Sequence, residues 1–341
     1  MPFESPTQHD PDARPVLVCP DKFRGTFTAK EVSDTIAGVL GRIGIAADHC
    51  EIADGGEGTL AVVTAAVEHE LVEIATQDAH GRPLSTMVAL LDGGRRALIE
   101  SAAVIGHEPA AGRRPDPWKA CSTGVGVAIV EAAGLGVREV LVGIGGTVTT
   151  DGGAGALEAL RAGGWGKNSP RIVALCDVRA SWEQAATMFA PQKGADASTV
   201  KRLIRRLAAL ADDMPRDPRT QVMSGAGGGL AGGLWGGAGA QLSSGAAAVL
   251  DLLDFTPRML AARGVITGEG RLDRQTLLGK AVAEVATRAR QSGVQCHAIA
   301  GENAIAPFDA RILDFESVHE AGGRRAIARA TRAIAAQLPV S

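Results

Sequence analysis

Tyrosine is absent from the 341 residues, and aromatic residues make up only 3% of them. Proteins that hold single-stranded nucleic acid stack bases on aromatic side chains, so this composition argues against such a platform. A charge excess is missing too. Thirty-five Lys and Arg against 38 Asp and Glu leave a net charge of −3, which gives no basic footprint for nucleic acid or an anionic membrane. The five cysteines (19, 50, 121, 176 and 296) form no CxxC pair. They read as buried or free thiols of a reducing compartment, the cytoplasm. The seven histidines fall in no metal-like spacing. No apolar run approaches the roughly 18 residues that suggest a membrane span. Residues 1–14 are polar, carry three prolines and lack an apolar segment, so a disordered tail is expected there, not a signal peptide. There are no internal repeats, and no Walker A loop: Gly279-Lys280 is followed by Ala281.

What the chain does have is glycine, 44 residues of it. Much of it stands where an apolar run gives way to a helical pattern. Val16–Cys19 runs into Pro20-Asp21-Lys22-Phe23-Arg24-Gly25-Thr26, then a helix from Ala29. Glu51-Ile52-Ala53 runs into Asp54-Gly55-Gly56-Glu57-Gly58-Thr59, then a helix over Leu60–Val67. Val140–Ile144 runs into Gly145–Gly153, then a helix over Ala154–Ala162. Gly264-Val265-Ile266 runs into Thr267–Thr276, then a helix to Arg290. Each reads as strand, loop, helix. In parallel α/β sheets, ligands bind where such loops leave the carboxyl ends of strands. Three short strands, Leu71–Ala75, Ser85–Leu91 and Arg96–Glu100, are expected in between, with Asp92-Gly93-Gly94 as a hairpin turn. A strand over Ile172–Cys176, an amphipathic helix over Lys201–Asp212 and a closing helix over Val318–Leu338 follow. Residues 225–239 match GxGxxG formally, but no strand precedes them. They read as packing or loop.

The polar residues in these loops each have two readings. Asp54 is a general base or Mg²⁺ ligand, or else a helix cap; Glu57 adds an acid where one cap would suffice. Gly145, Gly146, Gly152 and Gly153, with Thr147, Thr149 and Asp151, form a phosphate cradle or a tight turn. Five glycines in the eleven residues 145–155 exceed what a turn needs. Glu269 and Asp273 share proton transfer or Mg²⁺, or are a solvated acid and an N-cap. Arg271 has the fork that grips a carboxylate. Lys280 reaches phosphate or begins a solvated helix face, and Asp177 binds substrate or metal, or caps a turn. Lys193 reads as positional.

Four motifs stand in one order: Asp54–Thr59, the Gly145–Gly155 loop, Phe189-Ala-Pro-Gln-Lys-Gly-Ala195 and Thr267–Lys280. Together they resemble the type 1 glycerate kinase family, from about Val16 to the last helix. The resemblance implies an α/β, two-domain glycerate kinase I-like fold, with a flavodoxin/Rossmann-like domain and an inserted mixed α/β domain with a restriction-enzyme-like core. Residues 15–55 and 255–341 are assigned to the first and 56–254 to the second. It implies phosphorylation of D-glycerate by ATP with Mg²⁺, to 2-phosphoglycerate, in loops following strands and between the two domains. The expected roles are catalysis for Asp54, Glu269 and Asp273, and metal binding for Asp54 and Glu269. Substrate binding falls to Lys22, Arg24, Arg271 and Asp177, and nucleotide or phosphate binding to Gly145, Gly146, Thr147, Thr149, Asp151, Gly152, Gly153 and Lys280. The partners are small molecules, with no nucleic acid or membrane and room for a homodimer. Three stretches depart from the family pattern. Lys22 and Arg24 replace the Ser and Lys of Pro-Asp-Ser-Phe-Lys-Gly, Thr150 replaces an Asn, and Arg179–Met188 lacks an Asn-Pro-Leu and a glycine-rich turn. They motivate two alternatives: a kinase for another small hydroxy acid, or a non-catalytic sensor of a phosphorylated acid.

Overall fold

The computed structural model describes residues 14–23, 26–107 and 116–339, so the expected tail lies almost wholly outside the described residues. The chain divides into two compact units, Met1–Ala53 with Leu250–Ser341, and Asp54–Val249. In sequence, β1 (Val16–Pro20), α1 (Ala29–Arg42) and β2 (Ala47–His49) come first. The insert then runs α2 (Thr59–Ala66), β3 (His69–Gln77), β4 (Pro83–Leu91), β5 (Arg96–Glu100), α3 (Ser101–Ile105), α4 (Thr123–Gly134), β6 (Glu139–Gly143), α5 (Ala154–Ala162), β7 (Arg171–Cys176), α6 (Ala197–Asp212), α7 (Leu230–Ala238) and β8 (Gln241–Ser244). After α8 (Gly245–Leu252) come α9 (Phe255–Ala261), β9 (Gly264–Leu272), α10 (Ala281–Ser292), β10 (Cys296–Asn303), α11 (Pro307–Leu313), β11 (Ser317–Glu320) and α12 (Arg324–Ala335). Among the described residues no helix is long and apolar enough to cross a membrane.

The first unit is a parallel sheet in the order β2-β1-β9-β10-β11. Counted within the unit, that is 2-1-3-4-5, the flavodoxin-like winding, whose direction reverses between β1 and β9. The loops leaving those two strands therefore flank the crevice where such sheets take ligands. Helix α1 shows how the local sequence sets the layer. Thr28 and Glu31 form a capping box at its start, and Val32, Ile36, Val39 and Leu40 recur on one face and are buried. Val32, Ile36 and Leu40 pack with Val16, Val18, Ile266, Ile299, Ile327 and Ile334, each such side chain contributing about 1.5–3 kcal/mol by leaving water.

Three expectations change here. The Thr267–Leu272 stretch, read as loop, continues β9 and pairs with β10 as far as Leu272 against Asn303. Its glycines serve close backbone approach: a β-carbon at Gly268 would run into the Ile299 carbonyl. The helix expected from Thr276 begins only at Ala281, because Gly279 adopts a left-handed φ of +117° after a short 3-10 turn at Thr276–Leu278. The expected closing helix is β11 followed by α12, with Gly322-Gly323 in the break.

The second unit is a mixed sheet in the order β3-β4-β5-β6-β7-β8. β3, β4 and β5 are antiparallel neighbours, and β5 to β8 run parallel. The β4–β5 turn uses Asp92, Gly93 and Gly94 at φ of +54°, +63° and +82°, the left-handed values that Asp and Gly tolerate. Because β5, β6 and β7 run the same way, Glu100, Gly143 and Cys176 end side by side. The segments that follow them gather at one end of the sheet. The glycine-rich tract read as packing or loop forms a left-handed turn at residues 227–229 and then α7.

Candidate active site

At the first unit's switch point, the loop after β1 is tied to β9 by the Asp21 N–H, which donates to the Gly268 carbonyl at 2.8 Å. The Lys22 N–H donates to Asp21 Oδ1 at 2.6 Å, which leaves the Lys22 residue partly buried at the strand ends. Arg24 lies outside the described residues. Glu269, on the far part of β9, is buried, with both carboxylate oxygens engaged. Oε1 accepts from the Thr276 hydroxyl at 2.6 Å, and Oε2 from the Lys280 ammonium at 3.0 Å. Burial pushes its pKa above the ordinary carboxylate value, while Lys280 and the Thr276 hydroxyl act against that. Asp273 accepts the Gln275 N–H at 2.8 Å, its own N–H donates to the Thr276 hydroxyl at 3.2 Å, and the Arg271 Nε lies 3.3 Å from its Oδ2. Thr276 thus links the two acids, a part the sequence reading did not give it. Arg271 also holds Glu302 at 3.1 Å, so a substrate carboxylate would compete with two internal acids for that fork.

In the second unit, the loop over Asp54–Thr59 is held from β5. The Glu100 carboxylate accepts the N–H groups of Gly58 at 2.9 Å and Leu60 at 3.0 Å, capping the start of α2, where Gly58 has no side chain to do so. Sequence reasoning missed Glu100; an acid ending a strand just before a buried serine was the available signal. Since Glu100 caps the helix, Asp54 does not. Among the described residues its Oδ1 accepts one hydrogen bond, from the Gly56 N–H at 3.1 Å. The neighbouring backbones meet so closely that only glycine fits. A β-carbon at Gly145 would lie 2.7 Å from Asp177 Oδ2 and 2.7 Å from the Gly56 Cα, and one at Gly143 would lie 2.7 Å from the Gly55 carbonyl. Asp54, Gly145 and Asp177 therefore share one corner at the carboxyl ends of the strands.

The Gly145–Gly153 loop splits into two halves. In the second half, Asp151 is buried and its carboxylate is fully used: Ser122 N–H at 2.8 Å, Ser122 Oγ at 2.7 Å, Gly153 N–H at 3.2 Å and Gly155 N–H at 3.2 Å. It clamps the start of α5. Gly152 and Gly153 are packed by the tract behind them; Gly152 N–H donates to the Gly228 carbonyl at 3.1 Å, and a β-carbon at Gly233 would run into the Gly152 carbonyl. In the first half, Thr147, Thr149 and Thr150 are buried, and among the described residues the Thr149 and Thr150 hydroxyls have no partner. Lys193 reaches this half from the Pro191–Lys193 turn.

The structure thus joins Glu269, Thr276 and Lys280 in one group, and Asp54, Asp177 and the front of the glycine loop in another. Lys280, grouped in the sequence reading with the glycine loop, is bonded to Glu269 in the first unit. Asp54 and Glu269, read as joint metal ligands, belong to different units. Among the described residues no three His, Cys, Asp or Glu side chains gather to hold a metal ion.

Comparison with known proteins agrees with this arrangement of motifs. The model of the glycerate kinase family matches residues 16–171 and 165–331. A glycerate kinase of Haemophilus influenzae is 34% identical over 321 residues, spanning 84% of this chain and 85% of its own. The glycerate 2-kinase of Escherichia coli is 30% identical over 322 residues, spanning 84% of each. A crystal structure of a protein from Salmonella typhimurium LT2 matches with a TM-score of 0.78 at 28% identity, covering 95% of this chain and 98% of the other.

Proposed function

The chain belongs to the glycerate kinase family, and from that premise we propose that it phosphorylates the 2-hydroxyl of D-glycerate with ATP and Mg²⁺. Similarity to a glycerate 2-kinase supports the position of transfer. The observation that carries the assignment of the site is Asp54. It stands at the end of a strand connection, is relieved of helix capping by Glu100, and spends a single oxygen on one N–H. A carboxylate so placed can orient a hydroxyl and take its proton as the phosphoryl group moves, the role a phosphotransferase requires.

The other residues divide the remaining work. Thr147 and Thr149, with Gly145 and Gly146, receive phosphate oxygens at the front of the glycine loop; Asp151, Gly152 and Gly153 fix the loop from behind. Lys22, Arg24 and Arg271 supply positive charge for the glycerate carboxylate, and Asp177 flanks the hydroxyls. Glu269, Thr276 and Lys280 act as one hydrogen-bonded group, with Asp273 ordering the turn that carries Thr276. Mg²⁺ fits Asp54 better than Glu269, since among the described residues the second Asp54 oxygen has no protein partner while Glu269 already faces an ammonium. When bound there, Mg²⁺ would offset phosphate charge. The five cysteines are free thiols, four of them buried, in keeping with a cytoplasmic setting.

Replacing Asp54 by Asn and Glu269 by Gln tests these assignments. Each is expected to lower kcat by about 10²-fold or more, the scale of a lost acid–base or electrostatic group. A near-normal rate in either variant removes that residue from the mechanism. A second reading, transfer to another small hydroxy acid, rests on Lys22 standing where the family pattern has a serine; a substrate panel separates it from the first.

A further inference from the structure

The front half of the glycine loop is built around a buried cation. Lys193 is 7% exposed, and its Nζ donates to the Thr149 carbonyl at 2.6 Å and to the Thr147 hydroxyl at 3.4 Å. On the same stretch of loop, the Thr149 and Thr150 hydroxyls are fully buried with no hydrogen-bond partner among the described residues. A buried ammonium and unpaired buried hydroxyls are each unfavourable alone. Together, on a loop at the carboxyl ends of parallel strands, they are the donors that an incoming anion would satisfy.

Resting on the glycerate kinase reading above, we propose that Lys193 is the positioning residue of an anion subsite: it fixes the Thr147–Thr150 backbone and supplies the positive charge that lets the Thr149 and Thr150 hydroxyls receive an anionic oxygen group. The shared chemistry is that of a phosphoryl or carboxylate oxygen, from the nucleotide or from the hydroxy acid. Lys193 acts through the loop and is not itself required to touch the reacting atoms.

The ionisable groups that act on the ammonium are Asp177, after β7, and Asp151, within the loop, and both favour its charged form. Burial outweighs them and brings its pKa down to about 8. The subsite therefore loses its charge as pH rises through about 8, whereas an arginine would keep it.

The test compares full-length wild type, Lys193→Arg and Lys193→Gln, varying D-glycerate and MgATP in turn across a pH range from about 6.5 to 9.5. In wild type, kcat/KM for one of the two substrates is expected to fall towards tenfold per pH unit above about 8, with the other flat. Lys193→Gln should raise the KM of that same substrate tenfold or more at neutral pH, and Lys193→Arg should restore it and remove the basic limb. An effect on MgATP identifies a phosphoryl subsite, and one on glycerate a carboxylate subsite. Unchanged KM values in Lys193→Gln, a loss shared equally by both substrates, or a basic limb that survives in Lys193→Arg overturns the proposal. Should Lys193→Gln fail to fold, the wild-type and Lys193→Arg profiles decide. If wild type turns over no glycerate, the functional reading fails by itself, and ligand-induced melting shifts then judge the subsite. An ATP-induced rise in Tm that disappears at about pH 9.5 in wild type but persists in Lys193→Arg supports it, and equal rises in both contradict it.

Discussion

Lys193 keeps a charge where water is excluded, and this leaves a signature in stability. Its pKa falls from 10.5 in the open chain to about 8 in the fold. Between those values the unfolded chain holds a proton that the folded protein has released, so stability should rise with pH across that window. Below pH 8 the cost of the buried charge is present in full, on the order of 3 kcal/mol. Lys193→Met is therefore expected to melt no lower than wild type at pH 7 and to lose the rise in stability between pH 8 and 10.5, while its activity drops. Denaturant unfolding at several pH values reads this directly; a Lys193→Met protein much less stable than wild type at pH 7 would show that the lysine is held for the fold alone. Glu269 has the opposite sign. Its raised pKa means that the folded state keeps the proton longer, so its contribution to stability declines as pH rises from 4.5 through the folded value.

At the level of elements, one substitution has opposite effects at two glycines. Gly41 lies near the end of α1, and apart from its chain neighbours and the helix's own backbone no atom stands within 4 Å of the place a methyl group would take there, so Gly41→Ala should stabilise by about 0.5–1 kcal/mol. Gly233 lies in α7 with the Gly152 carbonyl in that place. Gly233→Ala should destabilise by about 1–3 kcal/mol and depress kcat by shifting the glycine loop. Chemical denaturation of both variants checks the pair, and a neutral Gly233→Ala would contradict the close packing. The same contrast explains what was legible in the sequence. Helix α5 and strands β3 to β7 were readable because their apolar period and turn residues agree. Helix α7 was not: glycine costs about 1 kcal/mol per helical position relative to alanine, and its helical form goes with tertiary packing of its glycines against Gly152, Gly153, Leu157, Trp182 and Met214. Continuation of β9 through Gly268-Glu269-Gly270 was hidden likewise, since its partners on β10 are about 30 residues away. The site residues were visible as chemistry, but their division was not. Nothing local distinguishes Asp54, left open by Glu100, from Asp151, whose oxygens Ser122 and the α5 backbone occupy.

For the whole molecule, the insert shapes how the fold forms. Residues 54–249 are contiguous, whereas the first unit closes by pairing β1 with β9, and the Thr267 hydroxyl donates to the Cys19 carbonyl across 248 positions of sequence. Closing so long a loop is entropically costly and slow, so refolding followed by pulsed hydrogen exchange should protect amides of β5 to β7 before those of β1 and β9; the reverse order would contradict this. Phosphorylation of glycerate at C2 is checked by ADP formation from ATP and Mg²⁺ with D-glycerate, L-glycerate and a panel of small hydroxy acids, with the product resolved as the 2- or 3-phosphate. Turnover of D-glycerate in preference to the others, with 2-phosphoglycerate as the product, is expected. Turnover of a different acid, formation of the 3-phosphate, or no turnover at all would contradict it.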